Sequence, residues 1–373
     1  MNIQMVDILG QYEKIKTEID TQISEVIRSS VFVKGGKVVE FEENLKKYLN
    51  VGHVIACGNG TDALQIALMA LGLNEGDEVI TAPFTFVATL EVMALLKLKP
   101  ILADVDESTF NIRPELVSKC ITNKTKGIIP VHLYGQCANL ESISEIAGNH
   151  QLFVIEDACQ ALGTDYLFKD GRIAKAGTIG DIACNSFFPT KNLGAFGDGG
   201  ALFTNNDELA QQMRSIANHG MSKRYYYHQI GMNSRLDAIQ AAILDVKLNY
   251  LDQFVKARQS AAAFYDLELA NIQEIILPAR VPYSTHSFHQ YTIKVPGKRD
   301  ELQKFLHSKG IPSMIYYPLP LHLQEAYHYL GYKKGDFPVS EKLSEQVLSL
   351  PMHTELTEEQ LTYIVSAIRS FFS

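Results

Sequence analysis

The sequence predicts an α/β protein with a mostly parallel central sheet flanked by helices, followed by a smaller α+β domain at the C-terminus. Between residues 78 and 156, short apolar strands alternate with helices, as in sheets that are covered on both faces. After residue 205 this alternation stops, and residues 235–268 have the pattern of one long helix. The 373 residues exceed what a single core usually supports, which also favours two domains.

The individual elements follow from hydrophobic periodicity. An isoleucine at every fourth position within residues 12–30 predicts an amphipathic N-terminal helix. The other predicted helices cover 38–48, 61–71, 87–96, 113–121, 140–149, 206–219, 235–268, 299–309 and 358–371. The predicted strands cover 78–81, 100–105, 126–131, 152–156, 179–187, 200–204 and 290–295. We expect a large domain over 1–245, which includes the N-terminal helix, and a small domain over 246–373.

Composition narrows the class of protein. Apolar residues make up 46% and charged residues 20% of the chain, which is a globular balance. A formal charge of -8 disfavours a nucleic-acid-binding surface. The five cysteines are never spaced as CxxC, so we expect neither a disulfide framework nor a metal site. Without a signal-peptide pattern, or a stretch of ~20 apolar residues that could span a membrane, a cytoplasmic location is expected.

The first chemical motif is Cys57-Gly58-Asn59-Gly60-Thr61-Asp62, between a strand and a helix. Gly60 and Thr61 are expected at the N-terminus of that helix, where backbone N–H groups and the helix dipole favour a phosphate. The Thr61 hydroxyl would add a donor. The alternative is an ordinary turn in which Thr61 or Asp62 caps the helix.

In the second motif, an apolar strand runs into Glu156-Asp157-Ala158-Cys159-Gln160. Asp157 is expected at the carboxyl end of the strand, where ligands gather in such sheets. A buried carboxylate needs a cationic partner, and a protonated pyridine nitrogen would be one. The alternative is a carboxylate that caps a helix or forms a salt bridge.

The third motif carries a lone lysine, Lys191, in a glycine-rich segment. A strand ending at Ser186 is followed by Phe187-Phe188-Pro189-Thr190 and then by Lys191. Semi-apolar surroundings lower the pKa of a lysine, and its neutral amine can attack an aldehyde. The alternative is a solvated lysine on a loop.

The fourth motif, Gly231-Met232-Asn233-Ser234-Arg235-Leu236-Asp237, leads into the long helix. Asn233 could donate to a phosphate, and Arg235 could bind a carboxylate or a phosphate through two hydrogen bonds. A helix cap followed by a surface arginine explains the same residues equally well.

Together with Phe84-Thr85-Phe86, these motifs resemble the DegT/DnrJ/EryC1/StrS sugar aminotransferases of pyridoxal-phosphate fold type I, in the same order and over nearly the whole chain. The resemblance implies that Lys191 carries pyridoxal 5'-phosphate and that Asp157 pairs with the pyridine nitrogen. It also implies a homodimer with shared active sites and glutamate as the amino donor. The remaining cofactor contacts that it implies are Gln160 at the ring hydroxyl, Phe84 stacked on the ring, Gly60, Thr61 and Ser186 at the phosphate, and Asn233 reaching the phosphate from a second subunit.

The resemblance is greatest to enzymes that aminate C3 of a UDP-linked 3-keto-N-acetylglucosaminuronate, a step of surface polysaccharide biosynthesis. Arg235 would then bind the uronate carboxylate. Those relatives carry His-Tyr-Pro in a loop of the small domain, whereas this chain reads Tyr316-Tyr317-Pro318, so a phenol would replace an imidazole near the sugar. His322 fits a common family pattern, although a packed or surface histidine is an alternative reading.

Two further functions stay open at this point. One is amination of a dTDP-linked 3-keto or 4-keto 6-deoxysugar. The other is a regulatory role without catalysis, which the absence of a recognisable DNA-binding helix pair disfavours. A related dehydratase would carry histidine in place of Lys191.

Overall fold

The computed structural model describes residues 3–373. The helices are α1 Ile8–Ser29, α2 Gly36–Leu49, α3 Gly60–Ala70, α4 Ala88–Leu95, α5 Pro114–Cys120, α6 Leu140–His150, α7 Asp207–Ile216, α8 Ala238–Leu248, α9 Leu251–Leu269, α10 Arg299–Ser308, α11 Pro338–Gln346 and α12 Glu358–Phe372. The strands are β1 His53–Cys57, β2 Glu78–Thr81, β3 Lys99–Leu102, β4 Thr125–Ile128, β5 Phe153–Asp157, β6 Asp165–Leu167, β7 Ile173–Lys175, β8 Ile182–Ser186, β9 Gly200–Thr204, β10 Met221–Lys223, β11 Tyr226–Tyr227, β12 Tyr291–Lys294 and β13 Val347–Leu350. Among these residues, every helix is too short or too polar to cross a membrane.

The central sheet has seven strands in the order β1-β9-β8-β5-β4-β2-β3. Strands β8, β5, β4, β2 and β3 pair in parallel, whereas β9 is antiparallel to both of its neighbours. The prediction of a mostly parallel sheet is therefore confirmed. Because β1 and β8 both run opposite to β9, their carboxyl ends lie at the same edge as that of β5.

Helices cover both faces of the sheet, as the continuous apolar strands predict. On one face, α2 and α8 pack onto β1, β8 and β9 through Phe41, Leu45 and Leu244. On the other face, Leu64 and Ala67 of α3 pack with Met213 of α7. All six side chains are almost fully buried, so each face supplies a separate part of the core.

A second core lies in the C-terminal part of the chain. It combines the distal half of α9 with α10, α12 and the antiparallel pair β12–β13. The helix predicted over 235–268 is in fact two helices, because the chain leaves helical hydrogen bonding at Asn249 and Tyr250. Val255 of α9 belongs to the first core and Ala261 to the second. The two cores thus meet along α9, and the domain boundary at residue 245 stays a prediction.

The end of β5 is held by a buried carboxylate, Glu156. Its oxygens accept hydrogen bonds from the backbone N–H groups of Gly177, Ile179 and Gly180, at 2.6–2.8 Å, and from His132 Nε2 at 2.8 Å. His132 Nδ1 accepts from the Ala138 N–H, which makes Nε2 the protonated nitrogen. Burial acts to raise the pKa of Glu156, but His132 and the backbone donors outweigh burial and lower the pKa below its usual value.

We predict that Glu156→Gln destabilises the fold by about 3 kcal/mol, because an amide N–H would then face backbone donors in a buried site. The lowered folded-state pKa means that the carboxylate stabilises the fold above its unfolded pKa, and that this contribution is lost as the pH falls. Urea unfolding should therefore show a gap between wild type and variant that is largest near pH 7 and shrinks below about pH 4.5. Glu145→Gln makes the same change at an exposed position and serves as the control. Equal stabilities of wild type and Glu156→Gln at pH 7 would contradict this account.

Candidate active site

A cavity of about 660 Å³ opens at the carboxyl edge of the central sheet. It is lined by residues from three of the four sequence motifs and by the small-domain loop around Tyr316. The predicted site residues that line it are Gly60, Thr61, Asp157, Gln160, Ser186, Lys191, Tyr316 and Tyr317. Residues more than two hundred positions apart in the chain therefore meet in one cavity.

The turn between β1 and α3 brings the N-terminus of α3 to the cavity. Asn59 is the helix cap, and its Oδ1 accepts from the Asp62 N–H at 2.8 Å. The alternative in which Thr61 or Asp62 caps the helix is therefore wrong. A Cβ on Gly60 would lie 2.7 Å from the Ser186 Cβ, so only glycine permits this approach. The first turn of α3 thus faces the cavity with its positive end.

A side chain that the sequence reasoning missed holds this turn in place. Ser234 is buried, and its Oγ accepts from the Gly58 N–H at 2.9 Å and donates to Asp62 Oδ2 at 2.6 Å. Ser234 lies between Asn233 and Arg235, the two residues singled out in the fourth motif. A short hydroxyl residue in a turn gives no signal of such a distant partner.

Asp157 ends β5 with its carboxylate buried beside the cavity. Thr89 Oγ1 donates to Oδ2 at 3.0 Å, and the Cys159 N–H donates to Oδ1 at 3.3 Å. Within residues 3–373 the carboxylate forms no ion pair and caps no helix, so both alternatives from the sequence are wrong. A buried carboxylate that opens on a cavity fits a cationic group of a ligand, such as a protonated ring nitrogen.

Lys191 lies on the loop between β8 and β9, half-buried and facing the cavity. Burial lowers the pKa of its amine, while the nearby Cys159 and Asp157 act in the opposite direction. The loop turns back tightly, since a Cβ on Gly194 would lie 2.3 Å from the Pro189 carbonyl oxygen. The amine is thus less solvated than on an ordinary surface loop, which suits a nucleophile towards an aldehyde.

Gln160 connects the sheet edge to the small-domain loop. Its Oε1 accepts from the Tyr134 N–H at 2.8 Å, and its Nε2 donates to the Tyr317 hydroxyl at 3.3 Å. The Tyr134 hydroxyl in turn donates to the Tyr316 carbonyl oxygen. These hydrogen bonds hold Tyr316 and Tyr317 at the wall of the cavity, and their contact with a substrate stays a prediction.

Two predicted contacts are corrected by the structure. Phe84 is 1% exposed and packs behind Tyr317 and against Phe110, so it does not line the cavity. Phe86, two residues later, lines the cavity and is 54% exposed. The motif Phe-Thr-Phe offers two aromatic residues, and only the path of the chain after β2 determines which one faces the ligand.

His322 is the second correction. It is fully buried, its Nε2 lies 3.0 Å from Glu341 Oε1, and its ring contacts Phe337. Its neighbour Leu321 lines the cavity, but His322 does not. These contacts support the alternative reading of a packed histidine. Leu321 faces the cavity, whereas the imidazole of the next residue faces the core.

Asn233 and Arg235 lie outside the cavity of their own chain. Asn233 is exposed and Arg235 is half-buried, and neither side chain forms a hydrogen bond within residues 3–373. Their contribution to the site of a second subunit therefore remains a prediction.

The cavity also contains residues that the sequence reasoning did not assign. Thr89 binds Asp157, and Thr85 and His289 line the cavity in almost fully buried positions. His289 stands just before β12, outside any recognised motif. Its position in the cavity depends on how the small domain packs on the large one, which local sequence does not encode.

Taken together, the residues present fit pyridoxal 5'-phosphate: a buried carboxylate lacks a cation, a lysine amine has a lowered pKa, and a helix N-terminus lies beside them. Such a fold and cofactor site are those of a pyridoxal-phosphate-dependent aminotransferase. The chain belongs to the DegT/DnrJ/EryC1/StrS aminotransferase family, whose model matches residues 13–369. The family and cofactor implied by the sequence motifs are thereby confirmed.

Three curated relatives align over nearly their full length. The chain is 50% identical over 374 residues to a pleiotropic regulatory protein of Geobacillus stearothermophilus, covering 100% of this chain and 99% of the relative. It is 43% identical over 366 residues to a UDP-2-acetamido-2-deoxy-3-oxo-D-glucuronate aminotransferase of Pseudomonas aeruginosa, with 98% and 99% coverage. It is 40% identical over 367 residues to a UDP-N-acetyl-3-dehydro-alpha-D-glucosamine 3-aminotransferase of Acidithiobacillus ferrooxidans, with 98% and 97% coverage.

Solved structures agree with the fold. A family aminotransferase from Brucella abortus superposes with a TM-score of 0.95 at 40% identity, covering 100% of both chains. The NtdA protein of Bacillus subtilis, solved with bound cofactor PMP, superposes with a TM-score of 0.89 at 33% identity, covering 99% of this chain and 83% of that one. The predicted fold class is confirmed by these neighbours.

Proposed function

We propose that this protein transfers the amino group of glutamate to the keto group of a nucleotide-linked sugar. The acceptor is C3 of a UDP-linked 3-keto-N-acetylglucosaminuronate, in surface polysaccharide biosynthesis. The observation that carries the proposal is the meeting of Lys191 and Asp157 in one cavity of a family aminotransferase. The choice of sugar rests on the Pseudomonas and Acidithiobacillus relatives, both named for UDP-linked 3-keto sugars.

The cavity residues divide the chemistry between them. The bound cofactor supplies an electron-withdrawing ring, and Asp157 keeps the ring nitrogen protonated by pairing with it. Lys191 holds the cofactor and, once freed, moves a proton at its Nζ atom as general base and general acid. Gly60, Thr61 and Ser186 hold the phosphate, and Gln160 holds the ring hydroxyl. Phe86 takes the stacking position that the sequence assigned to Phe84.

The chain acts as a homodimer in this proposal. Asn233 and Arg235 do not line the cavity of their own chain, yet they belong to a motif of the family. Exposed apolar side chains before α2, in the hairpin β10–β11 and just after it support pairing with a second copy: Val31, Phe32, Val33, Tyr225 and Ile230 are 45–86% exposed. Asn233 of one copy then reaches the phosphate in the other.

Arg235 would determine the preference for a uronate. The charged side chains that line the cavity within one chain are Asp157, Lys191 and Asp198, and none of them is free to bind a carboxylate. An arginine from the second copy would supply the missing charge through two hydrogen bonds. The Acidithiobacillus relative is named for a sugar without this carboxylate. Comparing turnover of the two sugars therefore tests whether Arg235 binds the carboxylate.

A regulatory role is the competing proposal, because the Geobacillus relative is named a regulatory protein. A regulator without catalysis has no need of a lysine and a carboxylate kept together in a cavity. We predict that purified protein shows a visible absorbance band of the lysine-bound cofactor, and that glutamate bleaches this band. Lys191→Ala should lose both the band and turnover, because no other lysine within residues 3–373 lines the cavity. A wild-type band that ignores glutamate would favour the regulator.

The acceptor can be identified with a substrate panel. We expect fast turnover with the UDP-linked 3-keto-glucuronate, and slower turnover with the UDP-linked 3-keto-glucosamine and with dTDP-linked 3-keto and 4-keto 6-deoxysugars. A buried charge-assisted hydrogen bond of about 2 kcal/mol corresponds to roughly a thirtyfold difference in kcat/KM. Arg235→Leu should remove the preference for the uronate. Faster turnover of a dTDP-sugar would contradict the proposed substrate but not the reaction type.

The shared site can be tested by mixing two inactive variants. Lys191→Ala and Arg235→Ala should each be nearly inactive with the uronate as pure dimers. If Arg235 serves the other subunit, a mixed dimer has one site with both residues intact, and random mixing restores about a quarter of the wild-type activity. If Arg235 serves its own chain, mixed dimers contain no intact site and no activity returns. Refolding the mixture from urea ensures exchange of subunits, and refolded wild type is the control.

A further inference from the structure

Two side chains in the cavity carry polar atoms that are buried and lack a hydrogen bond. Of the atoms of this kind within residues 3–373, Thr85 Oγ1 and His289 Nδ1 are the two on cavity-lining residues. Thr85 is 2% and His289 is 6% exposed. Buried polar groups in folded proteins nearly always have partners, because an unpaired one costs stability. The structure therefore shows two places where a ligand atom would complete a hydrogen bond.

The backbone around each of these two residues is held by contacts with other segments. The segment that carries Thr85 is fixed between sheet and small domain, because the Leu321 N–H donates to the Pro83 carbonyl at 2.8 Å and Phe84 packs edge-on against Tyr317. The backbone of Thr85 accordingly stays at the wall of the cavity.

His289 is held from two sides. Arg258 Nη1 donates to the carbonyl oxygens of Phe288 and His289, at 3.2 and 3.5 Å. A Cβ on Gly135 would lie 3.0 Å from the His289 backbone nitrogen, so the two backbone segments are in close contact there. Phe288 has a φ of 49°, a conformation that costs energy in a non-glycine residue and that is common at functional sites. The backbone is thus constrained to keep the imidazole at the cavity.

The imidazole stays uncharged. Burial lowers the pKa of His289 well below its ordinary value, and the positive charges of Lys191 and Arg258 lower it further. A neutral imidazole offers one N–H donor and one acceptor. Together with the Thr85 hydroxyl, it forms an uncharged set of hydrogen-bonding groups.

We propose that Thr85 and His289 bind the sugar of the nucleotide-linked substrate through its uncharged groups, such as a hydroxyl or an acetamido group. This inference rests on the proposed function. The cofactor's own polar groups already have candidate partners in Asp157, Gln160 and the turn between β1 and α3. The carboxylates of glutamate need positive charge, which a hydroxyl and a neutral imidazole do not supply. The sugar is the remaining ligand whose uncharged groups match them.

The test measures binding of UDP-N-acetylglucosamine and of UDP to the cofactor-loaded protein by titration calorimetry. In Thr85→Val and in His289→Leu, affinity for the sugar nucleotide should fall about three- to tenfold, the effect of losing one neutral hydrogen bond. Affinity for UDP should not change, because UDP lacks the sugar. His289→Asn keeps a polar atom near the Nδ1 position and should bind more tightly than His289→Leu.

The unfolding temperature is a second measurement, and it separates a ligand-binding role from a structural one. A variant that removes a structural hydrogen bond should unfold at a lower temperature. Thr85→Val removes an unpaired buried hydroxyl, so thermal unfolding of the cofactor-free protein should occur at the wild-type temperature or higher. Thr81→Val is the matched control: the Thr81 hydroxyl is also buried, but it donates to the Ile129 carbonyl at 2.8 Å. Thr81→Val should unfold at a lower temperature and bind the sugar nucleotide normally.

Unchanged sugar-nucleotide affinity in both variants would overturn the inference alone. If the variants lose affinity for the cofactor, while the difference in affinity between UDP-N-acetylglucosamine and UDP is unchanged, the two side chains bind the cofactor. That result would overturn the inference as well. A wild-type protein that binds UDP-N-acetylglucosamine no better than UDP would contradict the proposed UDP-sugar substrate, and this inference would fall with it.

Discussion

The antiparallel strand β9 is the constraint on which the rest of the site depends. Inserted between β1 and β8, it pairs Gly200 with Cys57 on one side and with Ser186 on the other. A Cβ at Gly200 would lie 2.3 Å from the Asn59 carbonyl oxygen, so this contact requires glycine. One pairing register therefore brings the turn between β1 and α3, the end of β8 and the loop of Lys191 to the same edge.

The charged side chains at this edge of the sheet determine which ligand the cavity favours. Asp157 is buried without a cation, and Lys191 is partly desolvated nearby, so the cavity favours a ligand that brings its own positive ring nitrogen and an aldehyde. Glu156, one residue earlier, is fully satisfied by His132 and three backbone donors. Adjacent carboxylates on one strand thus have opposite roles because alternate side chains of a strand face opposite sides of the sheet.

The C-terminal part of the chain supplies side chains to one wall of the cavity. Gln160 and Tyr134 bind the loop at Tyr316 and Tyr317, and His289 enters from the segment before β12. Of these residues, Tyr134 and His289 lie outside the sequence motifs. Relatives of similar sequence are named for different sugars, so the motifs alone leave the sugar open.

The sequence by itself determined the fold class, the cofactor, and the placement of Gly60, Thr61, Asp157, Gln160, Ser186 and Lys191 at one cavity, because strand-end motifs meet wherever parallel strands end together. It did not determine that Phe86 rather than Phe84 faces the cavity, or that His322 turns into the core. Nor did it reveal Ser234, Thr85 and His289. Their positions depend on contacts between distant segments, and tertiary packing decides these because each side chain faces whichever neighbour the fold brings to it.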